Sequence, residues 1–199
     1  MRIRWVIAIV GVAALAALTV TTQMPWLTKP ATKMVERSSP AGDAEGKAGE
    51  HAALMLSCPA DAKPANLNFT MKDVAGKNVT LADYKGKVIL LDFWATWCGP
   101  CKVEIPHFIE FQEKYSGKGF QVVGISVDDT AEKLEPYVRD MKMNYPVLQG
   151  LNHDDVQDAY GPILGIPVSV LISRDGKVCA THTGLTDRDV FEREIKALL

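Results

Sequence analysis

The chain has 199 residues, of which 47% are hydrophobic and 23% charged, and its formal net charge is −2. That is the composition of a globular protein with one core of ordinary size, and it leaves no basic footprint for nucleic acid. Four cysteines are too few for a disulfide scaffold; they are better read by spacing, with Cys98 and Cys101 close together and Cys58 and Cys179 far apart.

The first element is apolar. Arg2 and Arg4 precede WVIAIVGVAALAALTV, residues 5–20, which carries no charge. From Trp5 to Trp26 a helix would run roughly 32 Å, which matches a hydrocarbon core with a tryptophan near each interface. Residues 1–27 are therefore expected to be a membrane anchor entered through residues 5–27, with the arginines holding the N-terminus in the cytoplasm. The other reading is a cleaved signal peptide, for which Ala14-Leu15-Ala16 has the small-x-small form. Both readings export the rest of the chain. Residues 28–57 follow as an expected flexible linker, rich in Lys, Glu, Ser, Ala, Gly and Pro up to residue 50.

The folded domain is expected over residues 58–199. LNFTMKDVAGKNVTL reads as two short strands around a glycine-containing turn. Residues 87–93 form a near-continuous apolar run, as a strand buried on both faces would. A helix is expected from the cysteine pair to about Tyr115, with Gly117 and Gly119 as stops. Residues 120–127 read as a second buried strand. Asp129, with Glu132 three residues on, has the form of a capping box that opens a helix. Residues 155–160 look helical, residues 168–173 are a strand, Asp175-Gly176 a hairpin turn and residues 178–182 its partner. Thr186 with Asp189 is expected to open a last helix whose Val190, Phe191, Ile195 and Leu198 share one face. Strands alternating with helices, then a hairpin and a helix, imply one α/β domain with a mixed central sheet flanked by helices and an N-terminal β-hairpin extension.

The chemistry lies in Cys98-Gly99-Pro100-Cys101, which follows a buried strand and opens a helix. Amides and dipole at a helix start favour an anion, so the Cys98 thiolate is favoured as the attacking group. Cys101, one turn further in, is placed to resolve a mixed disulfide. Pro100 suits a first turn, where its missing N–H is not needed. The competing readings are a static disulfide and a metal site. Zinc wants four ligands, and no second C-x-x-C or H-x-x-x-H pair exists; His107 and His182 are isolated in sequence and read as surface or hydrogen-bonded side chains, and no metal is expected. His153-Asp154-Asp155 reads as a helix-start acid cluster. Asp92 sits in the buried strand, where a carboxyl is costly unless hydrogen-bonded or useful. Glu104 lies three residues after Cys101, on the same helix face.

VILLDFWATWCGPCKVEIP, residues 88–106, with the later Gly165-Ile166-Pro167, resembles the active-site segments of the thioredoxin superfamily. From about Leu67 onward the chain is similar to the membrane-anchored, extracytoplasmic TlpA/ResA-type thiol:disulfide oxidoreductases. The resemblance implies a thioredoxin fold, and a single-pass inner-membrane protein with its catalytic domain on the periplasmic side. It implies protein-disulfide reductase activity, with Cys98 attacking and Cys101 resolving, and no cofactor beyond the redox-active cysteine pair itself. The implied partners are protein disulfides, apocytochrome c before haem attachment among them, and a membrane electron donor of the thiol-transfer type. It also implies that Asp92 is a buried proton-transfer group, that Glu104 tunes the cysteines, and that Pro167 is cis and faces the pair. Trp97, Gly99, Pro100 and Ile166 are the expected substrate-binding surface around it. Many relatives hold a neutral residue at the position of Asp92, and cytochrome-c-specific ones often carry glutamate where this chain has Val168.

Two alternatives of other classes stand beside this reading. A thiol peroxidase would need a Pro–Thr pair ahead of the reactive cysteine; Thr96 is present, but the spacing is not. A copper-handling module would use soft thiolates, though usually with three residues between the cysteines and a distal histidine. Once Cys98 and Cys101 are assigned, an exported chain leaves Cys58 and Cys179 as a structural disulfide, the alternative being two separate buried thiols.

Overall fold

The computed structural model describes residues 58–199; the anchor expected over 1–27 and the linker expected over 28–57 lie outside the described residues. Seven strands and four helices follow in chain order: β1 (Thr70–Lys72), β2 (Asn78–Thr80), β3 (Val88–Trp94), α1 (Gly99–Tyr115), β4 (Phe120–Ser126), α2 (Ala131–Asp140), β5 (Val147–Gln149), α3 (Asp154–Ala159), β6 (Val168–Ile172), β7 (Val178–Thr183) and α4 (Arg188–Leu198). No helix of the described residues is long and apolar enough to cross a membrane.

The central sheet has the order β5-β4-β3-β6-β7. β3, β4 and β5 run parallel, and β6 and β7 are antiparallel to their neighbours. Every residue of β3 and β4 is buried, because both faces are covered; hence the continuous apolar runs in their sequences. The period of two sorts β3 between two cores. Val88, Leu90 and Trp94 meet α1, α2 and α4 through Ile105, Phe108, Leu134 and Phe191. Ile89, Leu91 and Phe93 meet Leu67, Met71, Leu81 and Val156 on the other face. Phe108 and Phe191 pack edge to face, with centroids 5.2 Å apart, and this pair fixes α1 against α4.

The extension hairpin, β1 with β2, is tied to the sheet edge. Asp73 bridges to Leu148, and the Gln149 side chain donates to the Asp73 carbonyl at 2.6 Å. On the opposite edge the segment before β1 lies along β7. Val178 N–H donates to the Lys63 carbonyl at 2.9 Å and Ala65 N–H to that of Gly176 at 2.8 Å. A disulfide joins Cys58 to Cys179 at the same place. Both sheet edges are thus partly covered, which blunts edge-to-edge pairing with other chains.

Two expected helix starts differ from those observed. The helix expected at Asp129 begins at Ala131, with Thr130 at the N-cap and no side-chain capping bond. Asp129 is turned inward, where it accepts from the N–H and hydroxyl of Thr96 and the hydroxyl of Ser126 and pairs with Lys133. The buried donors at the ends of β3 and β4 outcompete the helix terminus for this carboxylate. The last helix begins at Arg188, with Asp187 as N-cap, because Thr186 gives its N–H to Glu104 instead. β5 shows no period in the sequence because three residues are too few to display one. Pro106 and Pro136 both lie inside helices, each removing one ladder bond.

Candidate active site

Cys98 and Cys101 lie where β3 hands over to α1. Cys98 is the N-cap residue, with extended backbone at φ −73° and ψ 111°, and its Sγ accepts the Cys101 N–H at 3.2 Å. The two sulfurs are joined as a disulfide. The free amides and dipole at the start of α1 therefore converge on Cys98, which favours its thiolate once the bond opens. Cys98 is only 2% exposed. Its surroundings supply the accessible surface: Trp97 is 58% exposed, and Gly99 and Pro100 are exposed beside it. The Trp97 indole N–H donates to both carboxylate oxygens of Asp128, at 2.9 and 3.0 Å, which fixes the ring of the residue before Cys98.

Pro167 is buried and follows a cis peptide bond from Ile166. β3 and β6 pair with Phe93 opposite Val168. Pro167 immediately precedes Val168, so it stands at the end of β3 from which the chain runs on to the cysteine turn. Leu164 in the preceding loop is almost fully exposed.

Asp92 and Glu104 are each 1% exposed. Asp92 faces the same core as Leu90 and Trp94, the one in which Cys101 is packed. Its Oδ1 accepts the Ser169 hydroxyl at 3.1 Å. Burial pushes its carboxyl up to about 8, the Glu104 charge pushes the same way, and the Ser169 bond opposes both. Glu104 Oε1 accepts the Thr186 N–H at 2.8 Å, while Oε2 is buried with no partner among the described residues. Burial pushes this carboxyl up to about 7, against the pull of the Thr186 amide and of His182. Two buried acids whose carboxyls are pushed toward neutrality thus stand near the cysteine pair in the chain, Glu104 three residues along α1 from Cys101 and Asp92 on the strand that leads to Cys98.

The remaining candidates fall elsewhere. His107 lines a groove with Asp187 and Arg188, and His182 Nε2 lies 2.7 Å from Glu194 Oε2. Among the described residues no three His, Cys, Asp or Glu side chains gather as a metal site. Thr96, which a peroxidase would aim at its substrate, gives both its N–H and its hydroxyl to Asp129, each at 2.7 Å. Ser169, Thr186, Asp128 and Asp129 join the site without a motif to announce them. Ser169 alone left a trace, as a hydroxyl in an otherwise apolar strand.

Residues 62–181 match the family model described as the AhpC/TSA family. The chain is 33% identical over 131 residues to the thiol-disulfide oxidoreductase ResA of Bacillus thuringiensis subsp. konkukian, covering 66% of this chain and 75% of that one. To ResA of Bacillus subtilis it is 33% identical over 117 residues, covering 59% and 64%. Among solved structures it resembles a thiol:disulfide interchange protein of the thioredoxin family from Chlorobium tepidum, at 32% identity and a TM-score of 0.63, covering 70% of this chain and 99% of that one.

Proposed function

The chain belongs to the AhpC/TSA family and is a thiol-disulfide oxidoreductase of thioredoxin fold, similar to ResA, and on that premise we propose that it works as an extracytoplasmic, membrane-tethered reductase of protein disulfides. The observation that carries the reading is Cys98 at the N-cap of α1, its sulfur receiving the Cys101 amide, with Asp92 and Glu104 buried behind the pair. In the reduced enzyme the Cys98 thiolate attacks one sulfur of a substrate disulfide. A bond forms between Cys98 and that sulfur, and the second substrate sulfur leaves as a thiolate and takes up a proton. Cys101 then passes its proton to a carboxylate of the Asp92–Glu104 pair and attacks Cys98 Sγ. The Cys98–Cys101 disulfide forms, the substrate leaves fully reduced, and two electrons have passed to it. The cysteines carry this chemistry without a cofactor.

Trp97, Gly99, Pro100 and the backbone at Ile166 form the surface on which an extended substrate segment rests. Apocytochrome c has the chemistry required of a substrate, a disulfide in an unfolded exported chain. Val168 in place of a glutamate beside Pro167 favours a broader substrate range. The enzyme is returned to its dithiol state by a membrane electron donor of the thiol-transfer type.

The test is the reduction potential of the Cys98–Cys101 couple against glutathione. A reductase sits close to the reducing thioredoxins, about −270 mV, and far from strongly oxidising relatives near about −120 mV. A value at the oxidising end overturns the direction proposed. Cys101→Ser should also trap substrates on Cys98, and trapping through Cys101 in Cys98→Ser would exchange the two roles.

A further inference from the structure

The sheet carries a polar row that starts at Asp92 and runs on to side chains the cysteine chemistry above does not use. Asp92 on β3 pairs with Ser169 on β6, and Ser169 pairs with His182 on β7. Paired residues of adjacent strands project from the same face, so the three side chains stand side by side under α1 and α4. The Ser169 hydroxyl closes the first step of the row by donating to Asp92. At its far end His182 is clamped by α4. Its Nε2 meets Glu194 Oε2 at 2.7 Å and its ring packs edge to face on Phe191, with centroids 5.1 Å apart. The imidazole is partly exposed, with 19% of its side-chain surface reached by solvent. Directly above the row, α1 brings down Glu104, whose Oε2 is buried and has no hydrogen-bond partner among the described residues.

A buried carboxylate oxygen with no donor is costly in its charged form unless a positive charge stands nearby. His182 is the basic side chain whose charge acts on Glu104 and favours its ionised form. His182 pairs directly with Glu194 from α4; Glu104 from α1 is held by the Thr186 N–H just past the end of β7 and feels the His182 charge, and Asp92 lies beyond Ser169. Of the other cations on or near α4, Lys114, Arg188 and Lys196 are engaged by Glu192, and Arg188 also by Glu110, while Arg193 lines the groove with His107.

We propose that His182, held by Glu194, is a positioning residue for the thiol chemistry: its charge sets the protonation of Glu104, and so the readiness of the cysteine pair to react. The proposal rests on the reading of Glu104 as a working acid. It supplies what the Thr186 amide does not, a basic side chain at the rim of the site.

The test is the pH profile of Cys98 alkylation by iodoacetamide in the full chain, with the Cys98–Cys101 bond opened by a mild reductant and the label located by mass spectrometry. In the wild type, Glu104 contributes an inflection near neutrality that Glu104→Gln removes. His182→Gln should move that inflection upward by about half a pH unit or more. His182→Lys keeps a positive charge and should leave it at or below the wild-type position. In the Glu104→Gln background, His182→Gln should change nothing further, since coupled groups are non-additive. The inference is overturned if His182→Gln superimposes on the wild type, if His182→Lys shifts the profile as His182→Gln does, or if His182→Gln still shifts it without Glu104. A Glu104→Gln profile identical to the wild type would overturn the reading of Glu104 itself, and with it the role of His182.

Discussion

At the scale of single residues, Asp92 is where fold and chemistry conflict most openly. A carboxyl in the middle of β3 breaks a run of apolar side chains, and among the described residues one Ser169 hydroxyl is its only side-chain hydrogen bond. Its folded value, near 8, lies well above the ordinary 3.8. Below about pH 4 the folded and unfolded chains both hold the proton and stability is unaffected. Between about 4 and 8 the unfolded chain releases it while the folded chain keeps it, so stability falls by about 1.4 kcal/mol per pH unit and stays lost above 8. Asp92→Asn keeps the shape without the charge. It should raise stability at pH 8 by several kcal/mol, with about 5 kcal/mol the ceiling set by that slope over the window, and change little at pH 4, read as guanidinium midpoints at the two pH values. Equal destabilisation at both would mean that the carboxyl is a satisfied structural group. A gain at pH 8 with slower release of substrate from Cys98 would show stability given up for proton transfer.

At the scale of elements, the sequence is clearest where one physical demand acts alone. β3 and β4 are buried on both faces, so their apolar runs are unbroken except at Asp92, Gln121, Gly124 and Ser126. The strand-to-helix junction at Cys98 is legible because the strand ends in an apolar run and the helix opens on Pro100. Reading fails where two demands compete for one side chain. Asp129 has the form of a cap, but Thr96 and Ser126 claim it across 33 residues and three residues of chain respectively. Thr186 likewise faces Glu104 rather than its own helix, an interaction 82 residues away that no local pattern records. The segment along β7 combines both kinds of tie, backbone bonds at Lys63 and Ala65 and the Cys58–Cys179 link, which closes a separation of 121 residues. Chain entropy sets a ceiling of about 4–5 kcal/mol for a loop of that length. The double variant Cys58→Ser, Cys179→Ser should lose about 2–4 kcal/mol of stability, because the backbone bonds remain to hold part of the segment. Amide exchange should quicken first at Ala65 and Val178, with Cys98 alkylation unchanged. Unaltered exchange there would show that the hydrogen bonds alone hold the segment to the sheet.

At the scale of the whole molecule, alternating strands and helices suffice to indicate an α/β fold with a mixed sheet, and the described residues carry that sheet. The layering is also recoverable, since the period of two in β3 divides its side chains between the two cores. The compartment in which this domain works turns on residues 1–27. Trp5 and Trp26 bracket a stretch whose helical length, roughly 32 Å, suits a bilayer core of about 30 Å, and Arg2 and Arg4 stand on one side only. A charge-free run of this length partitions into lipid more readily than the shorter apolar core of a typical leader. An uncleaved anchor predicts that the full chain stays in the membrane pellet after an alkaline carbonate wash, with Met1 or Arg2 at its N-terminus. In spheroplasts, added protease should remove the folded domain while leaving the outer membrane-free cell intact. Recovery in the soluble periplasmic fraction, with a new N-terminus just after Ala16, would instead establish a cleaved signal peptide. The reductase would then diffuse freely and meet its electron donor by collision, so the rate of its re-reduction would depend on its concentration in the compartment. A tethered enzyme is held at the membrane with its donor at a fixed effective concentration, set by the reach of residues 28–57. Shortening that stretch by half should therefore slow re-reduction of the anchored enzyme in membranes while leaving its reaction with soluble dithiols unchanged. Equal rates in both assays would mean that the tether does not govern the encounter.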